Sequence, residues 1–251
     1  MDFDIKKPSH ILALIILAIA IAIIILLPIY SYFNVPVSID STPIEGSSEL
    51  VRIIVEIIAL VLQVLIVAIG IFILIPFIWY FVVNKLKFRE ILNQIKLRKA
   101  GMEMAFLWGV ISMISMFIIL FIFGVILTLY GFNLEDSSNI TDLEQIFSLP
   151  SIFFIVAFQP IGEEIFFRGF LLDKINSLSG RETAIVVTSI LFGIAHLTYG
   201  NIYPAIMTGI LGIILAYMVI KTKNLLTSII AHILFNLTSV TLYILGQSYI
   251  Y

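Results

Sequence analysis

Five ionisable side chains and one amide lie deep inside otherwise apolar stretches of this chain: Glu163, Glu164, Arg168, His196, His232 and Asn236. Their spacing says what each could do on a helix. Glu164 and Arg168 are four residues apart, share a face and can neutralise one another. Glu163 is turned away from Glu164 by about 100°, which leaves one carboxylate free to act. His232 and Asn236 are also four apart and present two neighbouring hydrogen-bond donors, the kind of group a developing oxyanion needs. Phe192 and His196 repeat the same interval. Pro160 and Gly162 precede the glutamates, where they would kink a helix and free backbone carbonyls. Inside a membrane that is tolerated only where protein or water lines the site. A spare carboxylate, two histidines and paired donors at similar depths could form a catalytic centre. The plainer alternative is that the same groups hold neighbouring helices together by hydrogen bonds.

The elements that must position these groups are membrane helices. Of 251 residues, 61% are hydrophobic and only 12% charged, and the mean hydropathy is +1.15. Soluble domains carry roughly 25% charged residues, so lipid must cover this surface. Seven apolar stretches run over Ile11–Tyr30, Ile53–Val83, Met102–Tyr130, Leu149–Leu172, Ala184–Leu197, Tyr203–Ile220 and Leu225–Leu245. The expected fold is therefore an all-α polytopic transmembrane bundle of about seven spans, or eight segments, with the site inside it. The fifth stretch is short and could equally be re-entrant or buried in protein. The first is read as an uncleaved helix, because its small residues lie mid-run rather than at a cleavage site. One membrane domain over 1–251 is the economical organisation. Residues 1–148 form three spans without a motif, and 149–239 form the core that carries the candidate site. A net charge of −2 gives no footing for nucleic acid. With no cysteine, disulfides, thiolate metal sites and a cysteine nucleophile are excluded.

Lysine and arginine set the orientation. Lys6 and Lys7, the run Lys85–Lys99, Lys174 with Arg181, and Lys221 with Lys223 all fall on one side when seven spans are threaded. The intervening loops carry Asp40, Glu45, Glu135, Asp136, Asp142 and Glu144 instead. A multi-pass cell-membrane protein follows, with its N-terminus cytoplasmic and its C-terminus outside. Trp79 and Tyr80 at inner ends, and Tyr130, Tyr199 and Tyr203 at outer ends, read as interfacial belts. Arg52 and Glu56 read as a surface pair at the start of the second span, and Asn139-Ile140-Thr141 formally matches a glycosylation acceptor. At 1.5 Å per residue, Glu163 lies about 13 Å inside Leu172 and His232 about 10 Å inside Leu225. Both depths fall in the cytoplasmic half.

The local sequences carry a resemblance. Gly162-Glu163-Glu164-Ile165-Phe166-Phe167-Arg168-Gly169 resembles the EExxxR motif of the CAAX-processing and bacteriocin-processing (Abi) family of intramembrane proteases, relatives of the type II CAAX prenyl endopeptidase. Phe192 to His196 matches its FxxxH motif and His232 to Asn236 its HxxxN motif, in the family's order. The resemblance implies an endopeptidase cutting near the C-terminus of a prenylated or otherwise membrane-bound protein or peptide. It implies Glu163 as general base, polarising a water with His196, and His232 with Asn236 as oxyanion stabilisers. Glu164, Arg168 and Phe192 would support them. The implied partners are membrane lipid and a lipidated or membrane-embedded substrate. No cofactor is preferred. The metalloprotease-like alternative is a zinc ion held by Glu163, His196 and His232, although no H-E-x-x-H is present. Two other classes compete: a non-proteolytic scaffold or bacteriocin-immunity protein, and an ion-coupled carrier, which lacks the paired interrupted helices expected of one.

Overall fold

The computed structural model describes residues 3–34, 48–132, 143–144, 146–197 and 201–247. These residues are helical, with no strand among them. The helices are α1 (Pro8–Phe33), α2 (Glu49–Val82), α3 (Phe88–Gln94), α4 (Met102–Leu129), α5 (Leu149–Ser179), α6 (Arg181–Ile194), α7 (Tyr203–Thr222) and α8 (Leu226–Gln247). Six of them, α1, α2, α4, α5, α7 and α8, are long and apolar enough to cross a membrane. The all-α bundle is as expected, and the count of about seven corresponds to these six plus α6. Large apolar side chains such as Leu26, Ile57 and Phe121 stand exposed along α1, α2 and α4. Helices hydrogen-bond their own backbone, which is what a span facing hydrocarbon requires.

The short fifth stretch is α6, 14 residues long. It runs antiparallel to α7: Arg181 lies over Tyr217, while Gly193 at its other end meets Ala205 and Gly209. A Cβ on Gly193 would stand 2.5 Å from the Ala205 carbonyl oxygen and 3.2 Å from the Gly209 Cα. Only glycine lets these two backbones approach so closely, as is usual for packed membrane helices.

The basic segments share one end of the bundle. The Leu225 amide donates to the Lys96 carbonyl at 2.9 Å, and the Asn224 side chain donates to the Arg98 and Ala100 carbonyls. Lys174 reaches Asn84, and Phe3 stacks on Trp79. At the opposite end, Tyr243 donates to Glu144. The acidic residues Asp40, Glu45, Glu135, Asp136 and Asp142, the Asn139 acceptor and Tyr199 lie outside the described residues.

Three expectations are corrected. Arg52 does not pair with Glu56. That carboxylate instead accepts the Ser148 amide at 2.9 Å and the Ser148 and Ser151 hydroxyls, tying α2 to the start of α5. Three hydrogen bonds outcompete one exposed ion pair. Trp79 and Tyr80 are not a lipid-facing belt: both are buried, Tyr80 completely, and its hydroxyl faces Asp173 of α5. Finally, α5 does not stop at Leu172 but continues to Ser179. Its polar extension is held at Asp173 by Gln94 and at Lys174 by the Tyr80 ring, and a turn at Gly180 leads into α6.

Gly193→Ala should therefore lower the thermal unfolding midpoint of the detergent-purified protein, since overpacking a tight contact costs about 1–3 kcal/mol. An unchanged midpoint would show that α6 and α7 can separate freely.

Candidate functional site

The centre of α5 is built to hold charge out of contact with lipid. Pro160 lies inside the helix, and the α-helical part ends at Glu164. Residues Ile165–Leu171 then form a π-helical stretch in which the Leu172 amide bonds to Phe167, five residues back. All seven of its residues are buried. Single wide turns of this kind recur at functional sites because they redirect side chains within a continuous helix. Here the wide turn follows directly on the two glutamates. Gly162, just before them, lets α2 approach: a Cβ there would lie 2.8 Å from the Ala68 carbonyl oxygen.

Glu164 and Arg168 form a salt bridge of 3.0 Å with neither side chain exposed. The guanidinium also lies 4.1 Å from the centre of the Phe192 ring and 3.5 Å from the Gly212 carbonyl of α7. Glu164 has a second partner that spacing alone did not reveal. Its Oε1 also accepts from His232 Nδ1 at 3.0 Å, across from α8. Because the carboxylate accepts, His232 carries its proton on Nδ1. The opposite ring nitrogen, Nε2, lies 3.8 Å from Glu163 Oε2. One imidazole thus stands between the two glutamates, bonded to one and facing the other.

Glu163 is buried, and its Oε1 accepts from the Gln159 amide at 2.7 Å. Gln159 is in turn bonded to Gln63 of α2. Neither glutamine was singled out from the sequence. The available signal was that Gln63 interrupts the long apolar run of the second span and that Gln159 precedes Glu163 by four residues. Polar amides inside spans usually bond across helices, and this pair does so at the carboxylate that lacks the arginine.

His196 lies just past the end of α6. Its Nδ1 donates to the Phe192 carbonyl at 2.8 Å, so its Nε2 is left as an acceptor. Its ring meets Phe192 edge-on at 4.7 Å, and the same Phe192 ring meets His232 at 5.7 Å. Phe192 is therefore the common surface for both histidines and Arg168. Glu163, Glu164, Arg168 and His232 are joined by polar contacts, and His196 joins them through Phe192. Asn236 sits one turn beyond His232, half-buried, and no hydrogen bond among the described residues holds its amide. His232 is about 9 Å along α8 from Leu226, whereas Glu163 is near the middle of α5 and His196 lies past the end of α6 remote from Arg181.

For the zinc alternative of Glu163, His196 and His232, both histidines engage Nδ1 and leave Nε2 unengaged among the described residues, as a metal-bound histidine does. No group of three histidine, aspartate or glutamate side chains among the described residues converges as metal ligands do.

Residues 145–238 match the family model for type II CAAX prenyl endopeptidase, Rce1-like. That segment is similar to an Rce1-like domain; it begins shortly before α5 and ends just past Asn236, so all three motifs lie within it. No curated protein and no solved structure matches the chain. The Rce1-like domain supports a membrane endopeptidase in general terms, and it is packed here within a multi-pass helical bundle.

Within that domain the buried ion pair should be the most costly element to halve. Arg168→Met should destabilise the protein by about 3–5 kcal/mol, because it strands a buried carboxylate. Glu164→Gln with Arg168→Met should lose less than the sum of the two single changes. Thermal unfolding of the four proteins measures this coupling, and strictly additive losses would contradict it.

Proposed function

We propose that this chain is an intramembrane endopeptidase that hydrolyses a peptide bond near the C-terminus of a prenylated or otherwise membrane-bound protein or peptide. The observation that carries the reading is the position of His232 between Glu164 and Glu163, inside an Rce1-like domain. A separation of 3.8 Å is too long for a direct hydrogen bond, yet one water about 2.8 Å from each atom closes the triangle. Glu163 is the general base. It takes a proton from that water as the oxygen attacks the scissile carbonyl carbon, and later gives the proton to the leaving amine as the C–N bond breaks. His196 offers an acceptor at Nε2, which suits a partner that orients the attacking water.

The tetrahedral intermediate carries its charge on the former carbonyl oxygen. His232, protonated at Nε2 and steadied at Nδ1 by the Glu164 carboxylate, donates to it, with the unengaged Asn236 amide as second donor. Glu164 and Arg168 hold His232 rather than touching the substrate. Gln159 and Gln63 fix the rotation of the Glu163 carboxylate. The positive-inside rule favours a cytoplasmic basic end, which supports entry of a lipidated C-terminus from that side.

Comparing protein termini from membranes of cells expressing the wild type or Glu163→Gln tests the reading. Specific C-terminal fragments should be present only with the wild type, and the variant protein should retain its unfolding midpoint. Cleavage should also survive exhaustive chelation. Identical termini in the two strains, or cleavage lost on chelation and restored by zinc, would overturn the proposed chemistry.

A further inference from the structure

A second polar feature lies at the basic end, away from the glutamates. A cavity of about 350 Å³ opens between the first turns of α4, the segment before it and the α7–α8 turn. Arg98, Lys221 and Lys223 line it, with Trp108 as its aromatic wall. The Lys221 ammonium rests 3.9 Å from the centre of the Trp108 ring. Trp108 is about 9 Å along α4 from Met102, so this lysine, though exposed, reaches back along the bundle. None of the three cations has an ion-pair partner among the described residues. Glu103, in the first turn of α4, does not line the cavity.

The rim is fixed in place. Asn224 is buried, donates to the Arg98 and Ala100 carbonyls, and accepts the Leu226 amide at 3.1 Å. Lys223 sits beside it in the left-handed region, at φ 53°. The two loops that carry the cations are thus locked together before any ligand arrives. Met104 lines the cavity and stands exposed, as does Leu107 on the same helix, so apolar surface continues from the cations toward the hydrocarbon.

We propose that this cavity binds the phosphate group of an anionic phospholipid, whose acyl chains lie along the exposed face of α4. Three convergent cations call for an anion, and basic pockets between membrane helices take phosphate headgroups. The aromatic wall at headgroup depth and the adjoining apolar face suit a phosphate attached to acyl chains rather than one free in solution. The site is independent of the peptide-cleavage reading.

Native mass spectrometry of the full-length protein, titrated in detergent with phosphatidic acid or phosphatidylcholine, tests this. Wild type should retain phosphatidic acid at least fivefold more tightly than phosphatidylcholine, about fivefold being the effect of one cation near an anionic surface. Lys221→Gln combined with Lys223→Gly should remove most of that preference; the glycine also relieves the left-handed backbone, so the fold is spared. Lys85→Gln with Arg89→Gln removes two charges from the same end outside the cavity and should keep the preference. Equal retention of the two lipids, or equal loss in both double variants, would overturn the proposal. Displacement of the lipid by millimolar inorganic phosphate would overturn the lipid as ligand and assign the site to free phosphate.

Discussion

A guanidinium and a carboxylate with no exposure to solvent, 3.0 Å apart in the middle of a membrane bundle, constrain everything around them. Taking two charges out of water costs several kcal/mol per ion, and mutual attraction repays this only when geometry and further hydrogen bonds are good. The surrounding structure is arranged to supply both. Gly212 on α7 has no side chain where a Cβ would stand 3.2 Å from the guanidinium, and its carbonyl faces that group. Phe192 on α6 lays its ring against the guanidinium, and His232 on α8 bonds to the carboxylate. Three helices are thereby held in register on α5.

The pair is not fully satisfied, since Glu164 Oε2 and Arg168 Nε are buried without a partner among the described residues. Two carboxylates face this region with one guanidinium, and His232 stands between them, bonded to Glu164 and 3.8 Å from Glu163. The structural pair and the proposed reaction centre are therefore one electrostatic unit, with His232 as the link.

Much of this was legible in the sequence, because the signals were strong where lipid is the solvent. Apolar runs located the helices, lysine and arginine sorted the loops to one end, and intervals of four placed Glu164 against Arg168. What was missed depends on neighbours that no interval within one helix can reveal. The Glu164–His232 bond crosses from α5 to α8, and the Gln63–Gln159 link crosses from α2 to α5. Trp79 and Tyr80 looked interfacial because their rank in the span was read without knowing that the α5 extension would cover them. The separation of Glu163 from Glu164 assumed regular α-helical turns, whereas the helix widens immediately after the pair and both carboxylates meet the same imidazole.

The central claim is that His232 is held by Glu164 through Nδ1–H and turned toward Glu163. Nitrogen-15 NMR of histidine-labelled protein measures this directly, and the chain has only three histidines. His10 accepts the Asp4 amide at Nδ1 and supplies the opposite tautomer as an internal reference, while an His196→Gln variant separates the remaining two signals. At neutral pH the His232 Nδ1 should be protonated, and Glu164→Gln should shift its signal. A His232 in the Nε2–H tautomer with a bare Nδ1, unchanged by Glu164→Gln, would contradict the account.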